Sequence, residues 1–108
     1  MGICLRKSQL AGSCYFEFQR GWQDGRFWLA DSLYLPDEDF DRLELPSLLF
    51  RVIPEFNYYG PTRVTTTQWA EVLAQSAKAG LGTRAVLQEI NQWVRELPQE
   101  PGFSVLGI

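Results

Sequence analysis

Five carboxylates, Asp37, Glu38, Asp39, Asp41 and Glu44, fall within the eight residues Asp37 to Glu44 of the stretch "LYLPDEDFDRLELP". Three kinds of chemistry use such a cluster: cation binding, acid–base catalysis, and attraction for a basic surface. Asp37, Asp39 and Asp41 take the alternating ligand positions that open a calcium loop. The pattern then breaks, with Arg42 at the sixth position where glycine is required and Leu48 at the twelfth where a bidentate Glu belongs. No metal is therefore expected. Catalytic carboxylates act as pairs across a cleft, whereas these share one short element. Asp31, in the stretch before it, is a partner acid that nothing in the pattern requires.

The electrostatic reading fits better. With Arg42 the run sums to −4, the other eight acids and nine bases sum to +1, and together they give the net −3 of the chain. All of the net charge comes from this stretch. A solvated helix face is the ordinary meaning of a charge run. Here Trp28 and Tyr34 precede it and Phe56, Tyr58 and Tyr59 follow. Aromatics beside charges are typical of protein-binding surfaces. The candidate partner-binding residues are Asp37, Glu38, Asp39, Asp41, Glu44, Tyr58 and Tyr59. Neighbours in an extended segment point to opposite sides, so surface and core are even choices for the two tyrosines. Phe56 is read as core.

The rest of the catalytic repertoire is thin. The 108 residues contain no histidine, which removes the usual general base, the Ser-His and Cys-His relays and every imidazole ligand. Cys4 and Cys14 are too few for a zinc site and sparse for a disulfide-stabilised secreted domain, so reduced thiols and a cytoplasmic location are expected. "AGLGTR" lacks the preceding strand and following lysine of a phosphate loop and reads as a connector between helices. No catalytic residue and no cofactor are assigned. A pI near 4.9 without a basic cluster argues against nucleic acid. No apolar run reaches the roughly 18 residues of a membrane span. "MGICLRK" lacks a signal-peptide core, and Arg6 stands where an acylation signal wants Ser or Thr.

The elements that would position these residues form a single domain, 1–108, since 45% hydrophobic residues and four tryptophans supply a core. "CYFEFQ" alternates, with Cys14, Phe16 and Phe18 on one side and Tyr15, Glu17 and Gln19 on the other, as in a half-buried strand. "RGWQDGR" is a turn, followed by a second strand from Arg26 to Tyr34 that pairs back as a hairpin. "GICL" is a candidate further strand. Pro36 ends the hairpin and opens a short helix whose acids suit the positive end of its dipole. Leu45, Leu48, Leu49 and Val52 make a helical stripe between Pro46 and Pro54. "EFNYYGPTRV" reads as loop with a turn at Gly60-Pro61. Thr65 and Gln68 have capping-box spacing before a helix with Trp69, Val72, Leu73, Ser76 and Ala77 on one face, and Gly80 is its C-cap. Thr83 caps a last helix carrying Val86, Leu87, Ile90, Trp93, Val94 and Leu97, which Pro98 ends. "PGFSVLGI" closes as a strand with Phe103, Val105 and Gly107 on one face. The fold class is α+β: an antiparallel sheet built on the N-terminal hairpin and the C-terminal strand, with three to four helices on one face.

"FNYYGPTRVTTTQWAEVL", "LQEINQWVREL" and "FSVLGI", spanning Phe56 to Ile108, resemble small bacterial immunity proteins of polymorphic or contact-dependent toxin systems. Gly60, Thr65, Trp69, Ile90, Trp93 and Val105 carry the likeness and are structural residues. The resemblance implies a cytoplasmic protein that binds and blocks one cognate toxin domain, such as a nuclease, and it assigns no binding residue. The physical reading agrees, because an inhibitor that covers a basic cleft gains encounter rate from clustered carboxylates. The alternative is a structural or regulatory subunit acting as a homodimer, through Phe27, Trp28, Leu29, Leu33, Tyr34 and Leu35 in the second strand. A small carboxylate enzyme or ligand carrier comes third.

Overall fold

The computed structural model describes residues 2–107, so Met1 and the Ile108 of the apolar tail lie outside it. The expected α+β class is observed. Four antiparallel strands, β1 (Tyr15–Arg20), β2 (Leu33–Pro36), β3 (Pro61–Thr65) and β4 (Gly102–Leu106), lie in the order β2-β1-β4-β3. Four α-helices, α1 (Asp37–Arg42), α2 (Leu45–Val52), α3 (Thr66–Gln75) and α4 (Leu81–Arg95), accompany single 3-10 turns at Lys7–Gln9 and Ser76–Lys78. Among the described residues no helix is long and apolar enough to cross a membrane.

Period-two alternation puts Phe16 and Phe18 of β1, Leu33 and Leu35 of β2, Val64 of β3 and Phe103 and Val105 of β4 on one sheet face. The helices cover that face with Phe40, Leu45, Leu48, Leu49, Trp69, Val72, Val86, Leu87, Ile90 and Trp93, forming one buried core. Phe103 holds its centre, edge-on to Phe18, Trp69 and Trp93 with ring centroids 6.1, 5.3 and 5.9 Å away. The capping box before α3 is present in both directions: Gln68 N–H donates to Thr65 Oγ1 at 3.1 Å, and Thr65 N–H donates to Gln68 Oε1 at 3.0 Å.

Several boundaries differ from expectation. β2 begins at Leu33, not Arg26, and Gly21–Ser32 is not a tight turn but a segment folded back over the outer sheet face. Side chains of that face capture its backbone. Glu17 accepts the N–H groups of Trp28 and Leu29 at 2.9 Å each, and the Gln19 amide donates to the Arg26 carbonyl at 2.8 Å. Ser104 Oγ accepts from Gln23 N–H and donates to the Gly21 carbonyl, each at 2.9 Å. Donors spent on side chains cannot build a ladder, so the apolar run Phe27–Leu29 stays out of the sheet. β1 is consequently buried on both faces rather than half-buried, while Cys14 is exposed just outside it. Leu33, Tyr34 and Leu35, counted on for a dimer face, are all internal.

"PTRVT", read as loop, is the edge strand β3. Its alternation is mostly polar, with Thr62 and Val64 buried. "GICL" contributes only an isolated bridge, Leu5 with Tyr34. Gly80 is the N-cap of α4 rather than a C-cap, since α3 passes through the 3-10 turn before the chain reaches it. Thr83 does not cap; its hydroxyl donates to the Leu43 carbonyl at 2.9 Å and ties α4 to the α1–α2 junction. α4 stops at Arg95, before Leu97 and Pro98. Gly107 lies just past β4, where a Cβ would run into the carbonyl of Tyr58.

Removing the Glu17 carboxylate should loosen this second layer first. Glu17→Ala leaves the part-buried Trp28 and Leu29 amides and the buried Ser32 hydroxyl without their acceptor, and a fully buried orphan costs about 1–3 kcal/mol. Denaturant unfolding is expected to show a loss of about 1–3 kcal/mol, with faster hydrogen exchange at Trp28 and Leu29. Unchanged exchange at those amides would contradict this role.

Candidate functional site: an acidic helix braced by a tyrosine

α1 follows directly from β2 through Pro36, whose ring suits a helix start. Asp37, Glu38 and Asp39 occupy its first turn, where the helix dipole favours negative charge. Phe40 is its only buried residue and fixes its orientation. The ring stacks on Phe16 of β1, with centroids 3.8 Å apart and planes 16° apart. Beside it Glu38 and Asp41 are exposed, and Asp37 and Asp39 are half-buried.

Tyr58 completes the anchor. Its ring stands edge-on to Phe16 at 5.1 Å and to Phe40 at 6.3 Å, and its hydroxyl lies 2.9 Å from both carboxylate oxygens of Asp41. Desolvation of the half-buried ring, then the hydrogen bond to Asp41 and the charges of Asp41 and Asp37, push its hydroxyl up to about 12. It remains a proton donor at neutral pH. Tyr59 behaves differently: its ring lies 5.1 Å from that of Tyr58 but is 78% exposed. The pair divides between core and surface.

The remaining acids separate. Asp39 pairs with Arg42 at 2.8 Å. Among the described residues no lysine or arginine pairs with Asp37, Glu38, Asp41 or Glu44. Asp37 accepts from the Glu38 N–H at 2.8 Å. Glu44 stands apart from the other four, in the left-handed conformation (φ 58°) that separates α1 from α2. It lines a polar cleft with Arg51 and Lys78. So Asp41 by hydrogen bond and Asp37 by its charge are linked to Tyr58, with Tyr59 alongside, while Asp39 is paired with Arg42 and Glu44 lines a separate cleft.

Beside this cluster runs a shallow apolar groove of about 650 Å³, lined by Pro46, Phe50, Phe56 and Tyr58 with Ser47 and Arg51 at its margin. Phe50, 58% exposed, belongs to it and has no counterpart in the sequence reading. Its signal was its place in α2, off the Leu45–Leu48–Leu49 stripe yet large and apolar. Tyr58 belongs to both features, so acid and apolar groove meet at one side chain.

Among the described residues no three His, Cys, Asp or Glu side chains gather into a metal-binding group. Burial, reinforced by the Glu89 charge, pushes the Cys4 thiol up to about 12, far from the thiolate a nucleophile needs. Asp31 is exposed, and its carbonyl accepts the Trp93 indole N–H at 3.0 Å. The chain matches no family model, no curated protein and no solved structure.

Tyr58 offers a direct readout of the brace. Two tyrosines, Tyr34 and Tyr58, have hydroxyls raised to about 12. Asp41→Asn should move one of the two high-pH tyrosinate absorbance transitions down toward the ordinary value near 10. Because Tyr58 holds its proton in the folded chain after the unfolded chain has lost it, its stabilising contribution is complete below about pH 10. That contribution falls as pH rises through about 12. An unshifted transition in the Asn variant would contradict the Asp41 contact.

Proposed function

We propose that this chain is a non-enzymatic protein-binding domain that covers a basic protein surface with α1, Tyr58, Tyr59 and the adjoining groove. In this reading it acts as an immunity protein that neutralises a cognate bacterial toxin domain. The observation that carries it is the sharing of Tyr58 between Asp41 and the groove. It joins a weakly compensated acidic face to exposed aromatic surface, held in place by the core. Interfaces combine an apolar, aromatic centre with polar surroundings, and acidic clusters accelerate encounter with a basic partner. The absence of histidine from the sequence and the raised Cys4 thiol suit a protein that acts by occlusion.

The adjacent reading frame tests the class: a toxin-like C-terminal domain supports the reading, and a metabolic operon overturns it. The face itself is tested with that domain as partner. Replacing Asp37, Asp39 and Asp41 together with Asn should slow association at low salt by on the order of tenfold or more, with a smaller effect at high salt. Equal rates for wild type and variant at both salt concentrations would remove the acids from the mechanism.

A further inference from the structure

A second site lies on the far face of the sheet. Glu17 is 4% exposed and is accompanied by no lysine or arginine within salt-bridge distance among the described residues. Its donors are the Trp28 and Leu29 N–H groups and the Ser32 hydroxyl, at 2.9, 2.9 and 2.7 Å. Tyr34 is only a contact: its single proton goes to the Leu29 carbonyl at 2.7 Å, and its oxygen stands 3.4 Å from Glu17 Oε2. Oε1 therefore receives one donor, the Trp28 amide, and keeps a lone pair free. The three donors hold the carboxylate in its charged form without neutralising it, and the free Oε1 position is its one unused acceptor site.

The space above it is a cleft of about 250 Å³ lined by Tyr15, Glu17, Phe27, Trp28 and Leu106. Trp28 stacks on the buried Tyr34 (5.7 Å, 11°) and Tyr15 meets the same ring edge-on at 6.4 Å, so Tyr34 braces two of the three aromatics that line the cleft. Phe27 and Trp28 are 61% and 39% exposed, although large apolar side chains normally avoid water. Trp28 is also held at φ 58°, a left-handed conformation unusual for a bulky residue and most often kept where function demands it. Aromatic faces attract cations, and rings around a buried anion select a cation with an apolar hull over a hydrated metal ion or a neutral molecule.

We propose that this cleft binds a methylated ammonium group, with Glu17 supplying charge and Tyr15, Phe27 and Trp28 supplying aromatic walls. The group is carried either by a small free molecule or by a methylated lysine of a protein. The site is independent of the acidic face.

The test is a titration of the intact chain with choline, followed by NMR of the tryptophan indole N–H signals. The neutral isostere 3,3-dimethylbutan-1-ol and a trimethyl-lysine peptide are run in parallel. Choline should bind saturably and about tenfold or more tightly than the alcohol. Trp28→Gly, which suits the positive φ, and Phe27→Ala, at an exposed position, should each weaken it about tenfold while the remaining spectrum stays folded. Tighter binding of the peptide than of choline assigns the source to a protein, and the reverse assigns it to a free molecule. Equal binding of choline and the alcohol, or choline binding untouched by both substitutions, would overturn the proposal.

Discussion

The contact on which the candidate recognition face depends is the stack of Phe16 on Phe40. α1 has six residues and buries only Phe40. A helix that short does not hold itself together in water. Its conformation and its direction come from the sheet, chiefly through this aromatic pair. Tyr58 leans on the same two rings and reaches Asp41. The Asp37 N–H bond to the Cys14 carbonyl pins the first residue of α1 to the start of β1, and the aromatic pair sets which way the rest of the helix faces. Charge density alone accelerates encounter, but specificity needs charges held at fixed separations.

The sheet serves two different layers. One face is conventional, with aromatic and branched residues under amphipathic helices. The other carries buried polar side chains beside Tyr15 and Tyr34, and is closed by a loop whose N–H groups are bound by Glu17 and Ser104 and whose Arg26 carbonyl accepts from Gln19. Such a layer is stable only when nearly every group has a partner. No buried side-chain polar atom among the described residues lacks one. The two layers isolate the two candidate sites: α1 and Tyr58 are referred to the apolar core, while the Trp28 cleft is referred to the polar layer. Arg20 ties the end of β1 to α4, lying 4.4 Å over the Trp93 ring and pairing with Glu96 at 2.7 Å.

Helices were legible in the sequence because their signals are local. The Thr65–Gln68 box, the Leu45–Leu49 stripe and the Val86–Trp93 period each lie within a few turns of one another. β3 was not legible, because Pro61–Thr65 has one strongly β-forming apolar residue, Val64, and its partner strand is some forty residues away in β4. Gly80 was misassigned because glycine is commonest just past a helix C-terminus, whereas here it has the extended backbone (φ −67°, ψ 165°) of an N-cap. For the recognition face, the acids and Tyr58 were visible as residue types, yet the Tyr58–Asp41 bond and the exposure of Phe50 depend on tertiary placement. Glu17 was read as solvent-facing for a sound local reason: alternation reports that a side chain leaves the core face, but not that a distant segment returns to cover it.

Side-chain footprinting gives the most direct test of the recognition face, because the chain exposes aromatics on two separate surfaces. Hydroxyl radicals oxidise Tyr59 and Phe50 on one side and Phe27 and Trp28 on the other, all accessible in the free chain. In complex with the toxin domain of the adjacent reading frame, Tyr59 and Phe50 should become protected while Phe27 and Trp28 stay as reactive as before. Protection of Phe27 and Trp28 with Tyr59 and Phe50 unchanged would contradict the account.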